Sequence, residues 1–239
     1  MTTLTSGWTV LDEAAAVLTR SYPFGKGQAS SATFVARMGN GQLLVVSPAK
    51  GLPEAAFTEL ARFGPVGALV ANNGFHHLGQ AEWRARFPAA RCFAPAAAIA
   101  RIHKKNPGAG AFEPLAALAD LTGADVGFRE VPDSKAGESW FWARVAGGHA
   151  WYPSDVLANM PTLPPFPVSL LFKWTGSAPG FRVFGLALKM LVRDKPATLR
   201  LLRDDLDAHP PTIIVPAHGD VLTRPGLAAE ARALLDAAL

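Results

Sequence analysis

Two of the six histidines in this chain are adjacent, and their setting gives them chemical use. His76 and His77 lie in Ala68–Gly79 (ALVANNGFHHLG), where a short apolar run meets an Asn-Asn-Gly break and then the start of a helix. An apolar run before an Asn-Gly turn marks the end of a buried strand. Open α/β sheets bind ligands beyond the carboxyl ends of their strands. On a continuing strand the two rings would face opposite ways, so only a turn or a helix start lets both reach one centre. The competing reading of these residues is that one histidine caps the helix and the other is solvated. Two later positions repeat the strand-end setting. The run Pro211–Pro216 (PTIIVP) ends at Ala217-His218-Gly219-Asp220, and HAWYPSD ends at Asp155. Asp155 serves equally well as an N-cap for a segment starting at Val156.

The elements that must carry these residues follow in order. Early strands are expected at 8–12 and 32–38, joined through a turn-rich link from Tyr22 to Gly27. Gly39-Asn40-Gly41 is a hairpin signal, followed by the buried strand LLVVS at 43–47. A helix with proline early in it runs from Pro53 to about Phe63, and Gly64-Pro65 ends it before a strand at 66–71. Helices are expected at Ala81–Phe87 and Pro95–Lys105, on either side of a short strand at Arg91–Ala94. From 126 the pattern returns to strands, VGFREVP, ESWFWARV and HAWYPSD, with a Gly147-Gly148 turn. Lys195–Ala208 and Gly226–Leu239 read as amphipathic helices, the first with Leu199, Leu202 and Leu206 on one side. No linker divides the chain, so 1–239 is expected to be a single domain.

Composition narrows the function classes. Hydrophobic residues make up 49% of the 239 and charged residues 18%, which excludes disorder and favours a well-buried α/β protein. The net charge of +4 is spread thinly, without the basic runs that would suit nucleic acid. Cys92 stands alone, so neither a disulfide framework nor a thiolate cluster is expected. The first residues carry Asp12 and Glu13 and no basic stretch, unlike a signal peptide, and no apolar run reaches the length of a membrane span. A cytoplasmic protein acting on a small molecule is the expectation, with a homodimer left open.

The order of these pieces, LLVVS, FHHLG, YPSD and VPAHG, resembles the metallo-β-lactamase superfamily over nearly the whole length. That resemblance implies a four-layer αββα sandwich with a metal site on one edge. The family signature is His-x-His-x-Asp-His followed by a pair such as Leu-Gly. Anchoring its last histidine on His77 puts Asn72 and Gly74 at the first two histidine positions and His76 at the aspartate. The family's later histidine falls near Pro132–Lys135, at Ser134; its bridging aspartate matches Asp155 and its final histidine His218. The resemblance therefore implies that one metal site is lost, its three histidines being Asn72, Gly74 and Ser134. A second set survives as His76, His77, Asp155 and His218, suited to one divalent metal: zinc first, with iron or manganese as alternatives.

Two functions follow as expectations. One is a single-metal hydrolase in which Asp155 and His218 carry the catalytic work. The other is a non-catalytic relative whose His77, Asp155 and His218 merely hydrogen-bond one another. His76 is a ligand, or it turns outward while Asn72 or Asn73 supplies an oxygen. His103 is read as a helix-end cation, His149 and His209 as surface-loop residues, and Gly25-Lys26-Gly27 and Gly108-Ala109-Gly110 as turns. Residues 159–192 are apolar with scattered bases. They are expected to cover the metal edge, with Phe166–Trp174 near His77 and His218.

Overall fold

A computed structural model describes residues 1–23 and 29–239. The Gly25-Lys26-Gly27 turn expected above lies outside the described residues. The first half forms one sheet whose spatial order is its chain order: β1 (Thr2–Thr3), β2 (Thr9–Asp12), β3 (Val17–Pro23), β4 (Ser30–Arg37), β5 (Leu43–Val46), β6 (Val66–Val70), β7 (Arg91–Ala94) and β8 (Glu113–Pro114). Pairing is antiparallel from β1 to β5 and parallel from β5 to β8. The parallel part needs crossovers, and α1 (Glu54–Ala61), α2 (Gln80–Arg86) and α3 (Ala96–Lys105) lie in them. A short α4 (Ala119–Thr122) leads into the second half.

That half supplies β9 (Val126–Glu130), β10 (Ser139–Val145) and β11 (Gly148–Tyr152), then a separate two-stranded ribbon of β12 (Leu157–Met160) and β13 (Gly180–Val183). Helix α5 (Val168–Trp174) lies between the ribbon strands, and α6 (Gly185–Leu191) follows them. Then come α7 (Lys195–Ala208), β14 (Pro211–Ile214) and α8 (Leu227–Asp236). The second sheet has the order β14-β11-β10-β9.

Side-chain alternation explains the layering. On β5, Leu44 and Val46 face the second sheet, while Leu43 and Val45 pack with Phe57, Leu60 and Trp83 of α1 and α2. On β10, Phe141 and Ala143 join the inter-sheet core, and Trp140 packs with Leu199, Leu202 and Leu206 of α7 and with α8. Two sheets thus share one core and each is capped by helices on its outer face: the four-layer αββα sandwich.

Two expectations fail here. Strand β3 runs over Val17–Pro23, where no strand was expected, and takes in Tyr22 and Pro23 of the turn-rich link, whose remaining residues lie outside the described ones. Its polar Thr19-Arg20-Ser21 hides the pattern, yet it pairs with both β2 and β4, and the Thr19 hydroxyl donates to the Thr33 carbonyl at 2.9 Å. His149 is not a surface-loop residue, since it lies within β11, whereas His209 does lie in the connection between α7 and β14, partly buried and stacked on Trp142 with ring centroids 4.7 Å apart.

Candidate metal centre

Three strand ends converge on one edge of the sandwich. After β6, Asn73 folds its side chain back on its own loop: Oδ1 accepts from the backbone N–H of Phe75 (2.8 Å) and of His76 (3.2 Å). Such an Asx turn replaces the sheet hydrogen bonds that the chain has left behind. After β11, Asp155 sits in a tight turn leading into β12. Since a strand follows, Asp155 is not a helix N-cap. After β14, His218 precedes Gly219, whose φ is +103°; a side chain there would overlap the Asn159 carbonyl, so glycine is required.

The result is a buried cluster of His76, Asp155 and His218, whose ligand atoms all lie within 4.8 Å of one another. His76 Nε2 is 3.2 and 3.1 Å from the two carboxylate oxygens of Asp155, and His218 Nε2 is 3.0 Å from Oδ1. The far side of each ring is anchored. His76 Nδ1 lies 2.8 Å from Ser47 Oγ and 3.3 Å from Ser31 Oγ, and Ser47 Oγ is bonded in turn to the Tyr22 hydroxyl at 2.9 Å. His218 Nδ1 donates to the Ser30 carbonyl at 2.8 Å. Ser47 and Ser154, at the ends of β5 and β11, hold left-handed φ values of 53° and 54°. Backbone strain of this kind gathers at functional sites.

Electrostatics follow from the contacts. Burial alone would raise the Asp155 carboxyl; the facing imidazoles of His76 and His218 overcome it and hold the group well below the usual carboxylate range. Burial likewise opposes charge on His218, but the Asp155 carboxylate prevails and its pKa is raised. Beneath them Glu138 is completely buried, and burial together with the Asp155 charge pushes it well above the ordinary range. The Asn73 amide nitrogen joins the two acids, donating to Asp155 Oδ2 at 2.9 Å and Glu138 Oε2 at 3.1 Å. Asn73 therefore supplies a donor to the site rather than the ligand oxygen considered from sequence.

The donor set fits a metal. Because Nδ1 of His218 gives its hydrogen to a carbonyl, a neutral ring would present a lone pair at Nε2, directly against a carboxylate oxygen. A proton or a cation must reconcile the two. Ligand atoms around a tetrahedral zinc lie about 3.3 Å apart, close to the spacings here. Both imidazoles already have the outer partners that fix ring orientation in metal sites.

No family model matches this sequence, and no curated protein matches it. Solved structures do. The metallo-β-lactamase FIM-1 from Pseudomonas aeruginosa, in its mono-zinc form, superposes with a TM-score of 0.60 at 12% identity, covering 99% of this chain and 97% of that one. This chain has the metallo-β-lactamase fold. The DIM-1 metallo-β-lactamase gives a TM-score of 0.56 at 12% identity, with 93% and 94% covered. A fragment (1–254) of diflavin flavoprotein A 5 from Nostoc sp. PCC 7120 gives 0.56 at 9%, with 96% and 93% covered. At these identities the likeness is one of fold.

Within that metallo-β-lactamase fold the pair His76-His77 splits. His77 stands outside the cluster: its carbonyl accepts from Asn106 Nδ2 at 2.9 Å, its Nδ1 is buried without a partner among the described residues, and burial lowers its pKa. Asn72 donates to Ser154 Oγ at 2.5 Å. A side chain at Gly74 would meet Arg101 Cδ at 2.8 Å and the Ala136 carbonyl at 3.0 Å. Arg101 fills that space, its Nε donating to the Gly74 carbonyl at 3.1 Å and its guanidinium lying 3.8 Å from the Phe75 ring centroid.

A cavity of about 210 Å³ opens over the cluster, walled by Tyr22, Ser31, Phe75, Leu78 and, from the 159–192 segment, Phe184, Ala187, Met190 and Leu191. Phe184 stands edge-on to His218, with centroids 5.6 Å apart. The cover is thus α6 and the residue before it. Of the expected Phe166–Trp174 stretch, Phe172 approaches through a contact with Phe184, while Phe166 and Trp174 are exposed. Sequence reading missed Tyr22, Ser31, Ser47 and Glu138. Only Glu138 left a trace, as an acid inside the apolar run ESWFW.

Proposed function

We propose that this chain is a metal-dependent hydrolase holding a single divalent ion, zinc in preference to iron or manganese, on His76, Asp155 and His218. The observation that carries the reading is the His218–Asp155 contact, where an anchored imidazole turns its second nitrogen onto a carboxylate oxygen at 3.0 Å. Three protein ligands with room for a fourth is the pattern of catalytic zinc sites. When bound, the ion supplies Lewis acidity: an acidified water and a polarised substrate oxygen. Support for one ion rather than two comes from Arg101, whose cationic side chain fills the space beside Gly74.

The chain's own residues do the rest. Ser47, Ser31 and the Ser30 carbonyl keep both imidazoles from rotating. Asp155 lies at the cavity floor, where it would hold the ion and orient a water beside it, and Asn73 fixes its Oδ2. Phe184, Leu191 and Phe75 exclude water and receive the apolar part of a small-molecule substrate. His77 stays outside our ligand set.

Elemental analysis of protein purified without chelator tests the proposal. About one equivalent is expected, lost in His76→Ala and His218→Ala and retained in His77→Ala. Zinc should also raise the unfolding free energy of the parent, by about 2.7 kcal/mol at a hundred times Kd. Ester, lactone or phosphodiester hydrolysis on a broad panel should vanish in Asp155→Asn. Two tightly held equivalents refute the single-ion reading. No metal under any supplement returns the cluster to a purely hydrogen-bonded one, the second reading, to which the Asp155 contacts with Asn73, His76 and His218 are also suited.

A further inference from the structure

Beside the mouth of the cavity the described chain leaves large apolar side chains uncovered. On and next to α5, Phe166 is 78%, Leu170 58% and Trp174 77% exposed. Chains rarely leave such a group in water without a partner for it. The same stretch is one-sided in charge: between Asp155 and Asp194 it carries Lys173, Arg182, Lys189 and Arg193 and no acidic residue. Arg193 is paired with Asp133, but Lys173 and Lys189 are exposed within the apolar group, and Lys189 Nζ lies 4.4 Å from the centroid of the Trp174 ring.

We propose that this face docks on an anionic phospholipid surface. Phe166, Leu170 and Trp174 enter the boundary between headgroups and acyl chains, and Lys173 and Lys189 lie against the phosphates. Apolar side chains flanked by lysines, with a tryptophan at the edge, are the composition that binds such interfaces. A second copy of the chain fits less well. A two-fold contact puts the same patch on both sides, so these lysines would face one another with no acid from the segment between them. Crossing the bilayer is a different matter, since no helix among the described residues is long and apolar enough.

The cavity wall adjoins this face, through Met190 and through the contact of Phe172 with Phe184. Met190 follows Lys189 directly, is half exposed and lines the cavity, as does the exposed Leu78. Docking therefore sets an apolar entrance against lipid, and a lipid-dissolved molecule reaches the cavity without crossing water. The docking itself does not depend on the hydrolase reading.

Co-sedimentation of the full chain with phosphatidylcholine vesicles, with and without phosphatidylserine, tests it. Binding is expected only with phosphatidylserine and should fall as salt is raised. Removing one lysine near such a surface weakens binding about fivefold, so Lys173→Glu should weaken it tenfold or more. Leu170→Ser should reduce quenching of tryptophan fluorescence by brominated lipid while the circular dichroism stays that of the parent. A parent chain that stays in solution, or variants that sediment as the parent does, overturns the proposal. So does a dimer in solution that Leu170→Ser dissociates, because the face then belongs to a second copy.

Discussion

Asn73 Nδ2 stands 2.9 Å from Asp155 Oδ2, and the same nitrogen reaches Glu138 at 3.1 Å. One amide therefore separates two buried acids. Its oxygen meanwhile holds the turn that presents His76. Asn73→Ala removes the donor from both carboxyl groups and two acceptor bonds from the loop. Leaving buried polar groups unpaired costs about 1–3 kcal/mol each, so a loss of several kcal/mol is expected by denaturant titration. Asn73→Asp, nearly the same shape, should be at least as damaging, since it brings a third carboxyl group to the pair.

The sandwich was largely legible because its buried strands write themselves in the sequence. LLVV at 43–46 is apolar throughout since β5 is covered on both faces, and SWFWARV alternates as β10 turns one face to each core. Helix α7 was legible to its ends, Lys195 and Ala208. Strand β3 was not, since Thr19 and Ser21 find their partners only on neighbouring strands. The site divides in the same way. His76, Asp155 and His218 stand at visible strand ends, whereas Ser47 becomes an imidazole anchor only when β5 lies beside the His76 loop. His77 lies outside the group formed by His76, Asp155 and His218, because adjacency in a turn does not by itself aim two rings at one centre.

Gly74 is held to glycine by Arg101 and the Ala136 carbonyl. Gly74→Ala should lose about 1–3 kcal/mol of stability through overpacking. Arg101→Ala alone should cost less, and in the double variant the Gly74→Ala penalty should shrink as the clash with Cδ goes. A double-mutant cycle measures that coupling, and strict additivity would refute the packing explanation.

His149 gives a pH prediction. Burial first, then the neighbouring His209, lowers its pKa, and it lies across the strand pair from Arg144, a further cation. The unfolded chain therefore binds this proton more readily than the folded one. Stability is unaffected well above the ordinary imidazole value of about 6.5, falls as pH drops through it, and levels off below the folded pKa. Subtracting the melting curve of His149→Gln from that of the parent isolates this group from His218, whose raised pKa acts in the opposite sense. The parent-minus-variant difference should fall as the pH drops through that range, and a difference that stays level or rises there would refute the assignment.

Phe184 ties the cover to the centre, its ring edge-on to His218 and in contact with Phe172. It is nearly buried and belongs to the outer core of the second sheet, so Phe184→Ala should cost about 3–5 kcal/mol. Phe184→Leu keeps most of the packing and should cost less than half as much. In that variant the wall of the cavity recedes beside His218 while the imidazole stays anchored at Ser30. The leucine variant should therefore hold metal like the parent but bind a small apolar ligand several-fold more weakly, or admit a bulkier one. Metal content and calorimetric titration with the two ligand sizes separate these effects. A leucine variant that loses its metal would mean that Phe184 supports the centre itself and not the wall above it.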